Sequence, residues 1–214
     1  MRLSLQLIEK LPLSDNMKTI LLILSLFAMA RAPQASQTAK TEAAPVAPVT
    51  SQTNNISPDR ANVLRVASGE VGVREATGNN DGARVEAYLK AAGATVGDPY
   101  CAAFVAWCGK QALGKNSPYP LSAWSPDQVA GGNGKIKQAR PADTFGIYFP
   151  DKGRIAHTGF VERVEGNFLV TIEANTTNAA AIGSAADREA GAGGGVYRKR
   201  RPVATIRTVK SWLP

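Results

Sequence analysis

Histidine and cysteine are scarce in this sequence, and their scarcity narrows the chemistry available to it. The chain of 214 residues has a single histidine, His157, and two cysteines, Cys101 and Cys108. If both cysteines lie on one helix, they stand two turns and about 10 Å apart. A disulfide needs Cα atoms within about 7 Å of each other, so we predict two free thiols. If a cysteine and a histidine act together, the histidine must be His157.

The apolar run near the N terminus is also short. The apolar run at residues 20–30 has about half of the ~20 residues that a membrane-spanning helix needs. A lysine stands before this run and small residues end it, which is the pattern of a secretory signal peptide. We interpret residues 1–32 as an export signal; the alternative is an uncleaved anchor that contacts the membrane through the apolar segment. Because no cysteine follows the run, a lipid-modified cysteine at this boundary is excluded.

Residues 33–57 consist largely of Ala, Pro, Thr, Gln and Ser, which cannot bury enough apolar surface to fold. We predict a linker there, fairly extended at its prolines, and a folded domain over residues 58–214. The net charge of +8 and the pI of about 9.7 favour an anionic neighbour such as cell wall, lipid headgroups or nucleic acid. The basic run at 198–201 favours a strand with a solvated face over a binding patch.

Helical periodicity dominates the first half of the domain. Ser57 and Pro58 suit the cap and first position of a helix that ends at Gly72. A second helix is predicted over residues 84–92. Residues 126–130 can form a short helix, and Tyr119 and Trp124 beside it either line a groove or cover the core.

Beyond Pro141 the apolar period changes to two, which indicates strands. A polar turn at residues 165–167 predicts a hairpin, and a Gly-rich loop is expected at residues 178–195. Helices followed by an antiparallel sheet of about five strands predict an α+β fold. The predicted strands are 144–149, 159–164, 168–173, 196–200 and 203–209.

The sequence PYCAAFVAWC at residues 99–108 predicts a helix that is buried on every side, because its apolar run is unbroken. Cys101 lies where the preceding loop becomes this helix. Unpaired backbone N–H groups and the helix dipole favour a thiolate at such a position, and a thiolate is a nucleophile. The alternative is that Cys101 is a small core residue, as we expect for Cys108.

His157 is predicted at the start of one strand, and Glu173 and Asn175 lie two positions apart on the next. Residues two apart share one face of a strand, and the hairpin returns this face to the side of His157. Cys101, His157 and either Glu173 or Asn175 can therefore meet. In the alternative, Glu173 is a solvent-facing carboxylate of an edge strand.

The segment at residues 99–107 resembles the nucleophile segment of the CHAP family, papain-like amidases and peptidases that cut bacterial peptidoglycan. Residues 143–149, 155–161 and 172–176 resemble the first, histidine and acidic strands of that family, in the same order. The resemblance covers roughly residues 60 to 210. It implies a papain-like fold, with the nucleophile at the N terminus of a helix that packs on the sheet.

The resemblance also implies roles for individual residues. Cys101 is expected to be the nucleophile and to donate its backbone N–H to the oxyanion, and His157 to be the general base and then the acid. Glu173 is expected to orient His157, with Asn175 as an auxiliary polar group. No set of calcium-ligand carboxylates is evident, so we expect no metal and no other cofactor.

The expected function is an exported hydrolase that acts in the periplasm, on the cell envelope or outside the cell. Its substrate would be an amide bond of peptidoglycan, cut as an N-acetylmuramoyl-L-alanine amidase or as an endopeptidase. A papain-like protease or transferase with another substrate is one alternative. A catalytically silent module that binds wall polymer through its basic C-terminal strands is another. We expect no specific nucleic acid partner.

Overall fold

A computed structural model of the chain describes residues 56–177 and 194–214. Within this part, three α-helices precede five antiparallel strands, so the fold is α+β, as the sequence predicts. The elements are α1 Pro58–Gly69, α2 Ala83–Ala91, α3 Cys101–Leu113, β1 Thr144–Phe149, β2 Arg154–Glu165, β3 Phe168–Thr176, β4 Gly195–Pro202 and β5 Thr208–Lys210. The strands form one sheet in the order β4-β3-β2-β1-β5.

Helix α3 lies at the centre of the helical layer. The residues from Cys101 to Gly109 are all buried, because this part of the sequence has no polar face. Helices α1 and α2 pack against α3, which also contacts β2 and β3. The ring of Phe104 meets the rings of Tyr88 and Phe160 edge to face. This packing fixes the N terminus of α3 against the sheet.

Helix α1 ends earlier than predicted, at Gly69 instead of Gly72. The backbone N–H of Gly72 donates to the carbonyl of Val196 in β4, which draws the chain out of the helix. At the other end Ser57 occupies the cap position and Pro58 the first turn, as predicted. The hydroxyl of Ser57, however, makes no capping hydrogen bond, so its predicted role as a side-chain cap is wrong.

Strand β2 begins five residues before the predicted 159–164, so His157 lies inside the strand and not at its start. Ile147 of β1 pairs with His157, but the next residue, Tyr148, pairs with Ile155, so Ala156 is an unpaired β-bulge residue. The predicted hairpin between β2 and β3 is present, with Gly166 in a left-handed conformation (φ 59°).

The predicted final strand, 203–209, is largely wrong. Residues Val203–Thr205 form a single 3-10 turn after Pro202, and the strand β5 comprises only Thr208–Lys210. The chain crosses there from β4 at one edge of the sheet to β1, and β5 pairs with β1 at the opposite edge. The short helix expected near 126–130 is a 3-10 turn at Asp127–Val129.

The predicted export signal at residues 1–32, nearly all of the predicted linker and most of the loop at 178–195 lie outside the described residues. Within 56–177 and 194–214, no helix is long and apolar enough to cross a membrane.

Candidate active site

Cys101 is the first residue of α3. It follows the helix-breaking segment that contains Pro99 and ends at Tyr100. Its backbone N–H therefore belongs to the unpaired first turn of the helix, where the dipole favours negative charge. Its side chain is buried, and its Sγ lies 3.3 Å from the hydroxyl oxygen of Ser125. The backbone of Thr158 also helps to lower the pKa of this thiol.

The imidazole of His157 is buried between Cys101 and Glu173. Its Nε2 lies 2.8 Å from Oε2 of Glu173, and the imidazole is close enough to the thiol of Cys101 for each group to shift the pKa of the other. Because Nε2 is engaged by the carboxylate, Nδ1 is the ring nitrogen left to face the sulfur. The structure thus brings together the three residues that the sequence predicts as nucleophile, base and orienting acid.

Glu173 is completely buried, with 0% of its surface exposed. Arg201 of β4 binds both of its carboxylate oxygens, through Nε to Oε1 at 2.8 Å and through Nη2 to Oε2 at 2.6 Å. The hydroxyl of Thr171 also donates to Oε1, at 2.6 Å. The alternative of a solvent-facing carboxylate in an edge strand is therefore wrong.

Arg201 is one of two residues of this site that the sequence does not reveal; the other is Ser125. The sequence predicts that Arg201 belongs to a basic run with a solvated face, but only 2% of its surface is exposed. The expectation does hold for two other members of the run. Arg198 and Arg200 are exposed, and they pair with Glu162 and Glu165 of β2. This pairing neutralises the residues on which a basic binding patch would depend.

The pKa shifts within the group all favour a thiolate–imidazolium pair. Burial alone would raise the pKa of Cys101, but the hydrogen bond and charge of His157 and the hydrogen bond of Ser125 outweigh it and lower the pKa. Burial alone would lower the pKa of His157, but its bonds to Cys101 and Glu173 raise it to about 9. Burial also opposes the ionisation of Glu173, and Arg201 followed by His157 overcomes it, so that the pKa of Glu173 lies well below its usual range.

Cys108 has none of these features. It is buried in the core on the same helix, and burial followed by the charge of Glu70 raises the pKa of its thiol. Both cysteines are free, as the sequence predicts. A core role for Cys108 and a reactive one for Cys101 are therefore the assignments that the surroundings of the two thiols support.

Asn175 stands apart from the hydrogen-bonded group. It has φ 55°, and the register of β3 with β4 shifts between Glu173 and Thr176, so the alternation of faces is broken at this point. The amide of Asn175 donates to Asn80 Oδ1 at 2.7 Å, and both residues line the same cavity as His157. The structure therefore places Asn175 at the rim of the site and not on the imidazole.

A cavity of about 650 Å³ opens beside His157 and Ser125. Of the two aromatic residues expected at a groove or over the core, Tyr119 is buried in the core and Trp124 lines the cavity with 49% of its surface exposed. Ser125 follows Trp124 directly. Nothing in the sequence near Ser125 indicates a contact with Cys101, which lies on another element.

Among the residues that the structure describes, no three His, Cys, Asp or Glu side chains are grouped so as to hold a metal ion. The site offers a buried thiol whose pKa is lowered and, beside it, an imidazole whose pKa is raised. No protein-family profile matches the chain, and no curated protein is significantly similar to it.

Proposed function

We propose that this protein is a papain-like cysteine hydrolase of the CHAP type that cleaves an amide bond of peptidoglycan. The observation that carries the proposal is the group formed by Cys101, His157 and Glu173 beside an open cavity: Nε2 of His157 contacts the carboxylate of Glu173 at 2.8 Å, and the imidazole lowers the pKa of the Cys101 thiol. A nucleophile, a base and an orienting group in hydrogen-bond contact are the signature of nucleophilic catalysis.

The chemistry follows from the charges of the resting site. The thiolate of Cys101 attacks the carbonyl carbon of the amide and forms a C–S bond, while the backbone N–H of Cys101 donates to the oxyanion. The imidazolium of His157 gives its proton to the nitrogen, the C–N bond breaks and the amine leaves. A thioester remains on Cys101.

Hydrolysis of the thioester restores the site. Neutral His157 accepts a proton from a water molecule, whose oxygen attacks the thioester carbonyl. The C–S bond breaks, the carboxylic acid is released, and the thiolate and the imidazolium are both regenerated. Glu173 stays ionised throughout, because Arg201 binds it from β4.

The assignment of the substrate to the wall has separate support. The N-terminal apolar run favours export, and the resemblance of four sequence segments points to enzymes that cut peptidoglycan. A net charge of +8 also favours contact with an anionic envelope. The bond is either the amide that joins the stem peptide to the sugar or an amide within the peptide, and the masses of the released fragments distinguish the two.

The test is the release of soluble fragments from purified peptidoglycan by the full chain, followed by mass spectrometry. The variant Cys101→Ala should release none, whereas Cys108→Ala should keep most of the activity because its thiol lies in the core. The fragment masses identify the bond. Wild-type release by Cys101→Ala would refute the proposal, and cleavage of a denatured protein in place of peptidoglycan would favour the protease alternative.

A further inference from the structure

Two cationic side chains, Lys152 and Arg154, line the cavity beside His157. In a regular strand Arg154 and His157, three positions apart, would point to opposite faces. The bulge at Ala156 adds one residue and changes the phase, so that Arg154, Ala156 and His157 all line this cavity, while Ile155 faces the other side of the sheet. The bulge thus brings a guanidinium to the face that carries the base.

Aromatic rings hold both cations. The guanidinium of Arg154 lies 3.9 Å from the ring centre of Trp124, and Nζ of Lys152 lies 5.7 Å from that of Phe149. One guanidinium nitrogen of Arg154 also donates to the carbonyl of Ile155, at 3.0 Å. Stacking of this kind fixes the plane of the guanidinium and leaves other N–H groups free to bind a ligand.

Neither cation has a carboxylate partner within the described part of the chain. Exposed arginines elsewhere on the sheet do have one, because Arg163, Arg198 and Arg200 pair with glutamates of β2. Asp98 is the one carboxylate among the described residues that line the cavity, and it accepts the backbone N–H of Thr95. The cavity therefore has an uncompensated positive wall.

The positive wall of the cavity lies close to both reacting residues, Cys101 and His157. Trp124 precedes Ser125, whose hydroxyl contacts the sulfur of Cys101, and Arg154 lies three residues before His157. The strand rise of about 3.3 Å per residue puts the backbone of Arg154 within about 10 Å of His157. A group bound by the guanidinium would therefore belong to the same substrate residue as the scissile amide or to the residue beside it.

We propose that Arg154, assisted by Lys152, binds a free carboxylate of the substrate next to the scissile amide and makes that carboxylate a condition of efficient cleavage. The inference rests on the proposed function and specifies its substrate as an acidic, non-amidated stem peptide. A planar guanidinium matches a carboxylate with two parallel N–H donors, whereas a neutral carboxamide can offer only one oxygen and repels through its own N–H groups.

The experiment compares soluble peptidoglycan fragments with the same fragments after their carboxylates have been converted to primary carboxamides. Wild-type protein should cleave the carboxylate form about ten- to a hundredfold more efficiently in kcat/KM, which is the range for a hydrogen bond to a charged group. Arg154→Gln should abolish most of this preference by raising KM, with kcat little changed, and Lys152→Gln should reduce it less. Arg163→Gln, an exposed arginine at the far end of β2, is the matched control and should keep the preference.

Equal cleavage of both forms by the wild type, lost in Cys101→Ala, would overturn the carboxylate proposal and leave the proposed function standing. A preference that persists in the double variant Lys152→Gln/Arg154→Gln would overturn it in the same way. Absence of cleavage of either form and of intact peptidoglycan would instead refute the proposed function.

Discussion

Arg201 binds both carboxylate oxygens of Glu173, and the pair is buried beneath the imidazole of His157. The charges of Arg201 and Glu173 balance each other, and Oε2 of Glu173 also lies 2.8 Å from Nε2 of His157. Arg201 is thus a positioning residue that acts through Glu173. A buried carboxylate that loses its guanidinium partner is costly, which makes this pair the first place to test.

Replacing Arg201 by Gln should lower the free energy of unfolding by about 3–5 kcal/mol, because the buried charge of Glu173 loses the guanidinium that binds both of its oxygens and keeps only His157. Arg198→Gln, three residues earlier on the same strand and exposed, should change it by no more than about 1 kcal/mol. Urea unfolding of both variants measures the difference. Equal losses in the two variants would contradict the account.

The buried pair also predicts sensitivity to acid. The pKa of Glu173 is lowered on folding, so its stabilisation is present above the ordinary value of 4.5 and is lost as the pH falls through the lower folded value. Arg201→Gln should flatten the decline in unfolding free energy below pH 4.5. A decline of the same steepness in wild type and variant would show that other carboxylates govern it.

His157 is the single histidine of the chain, so its ring protons can be followed by NMR without ambiguity. We expect it to titrate near pH 9, because its bonds to Cys101 and Glu173 overcome burial. With a folded pKa raised from 6.5, its stabilisation is complete below about pH 6.5 and is lost as the pH rises through about 9.

Glu173→Gln should lower the pKa of His157, since the variant removes the charge that favours the imidazolium. Glu165→Gln, at a partly exposed glutamate at the end of β2, should leave this pKa as it is in the wild type. A titration near pH 6.5 in the wild-type protein would contradict the thiolate–imidazolium pair.

The reactivity of the two thiols should differ. Iodoacetamide should modify Cys101 at a lower pH than an ordinary thiol, because His157 and Ser125 lower its pKa, and should leave Cys108, whose pKa is raised, unmodified in the folded protein. Peptide mapping separates the two sites.

Ser125→Ala should move the pH midpoint of Cys101 upward, since the thiolate loses a hydrogen bond. Ser117→Ala is the control, because its buried hydroxyl has no hydrogen-bond partner among the described residues; an identical midpoint in all three proteins would rule out the role of Ser125.

Gly159 lies two residues after His157, where β2 approaches β3 closely. A Cβ at this position would lie 2.7 Å from the carbonyl oxygen of Ile172 and 3.2 Å from Cγ of Glu173. Gly159→Ala should therefore destabilise the protein by about 1–3 kcal/mol and displace Glu173 from His157. Gly134→Ala is the control, since no atom lies within 4 Å of its added Cβ. Thermal unfolding with the NMR titration of His157 measures both effects, and an unshifted pKa in Gly159→Ala would count against the displacement.

Sequence reasoning succeeds here where a pattern is local. The apolar run from Cys101 predicts α3 and its burial, because a helix without a polar face has to be covered. The hairpin turn predicts that β2 and β3 are neighbours, and from this follows the meeting of His157 with Glu173.

What the sequence misses depends on contacts between distant elements. Successive residues of β4 alternate between the two faces of the sheet, and Arg201 is on the inward face. Because all four residues of the basic run are cationic, no alternation of apolar and polar residues indicates which of them face inward. Arg201 finds its partner 28 residues away in β3. The bulge at Ala156 has no signal of its own either, and it changes both the start of β2 and the face on which Arg154 lies.

The proposed mechanism requires that the sulfur of Cys101 form a covalent bond with the acyl group of a wall amide. The most direct measurement is the mass of the protein after acid quenching during turnover of soluble peptidoglycan fragments, followed by peptide mapping. The account predicts an acyl adduct on the peptide that contains Cys101, present with wild type and absent with Cys101→Ala. Turnover by Cys101→Ala at the wild-type rate would contradict it.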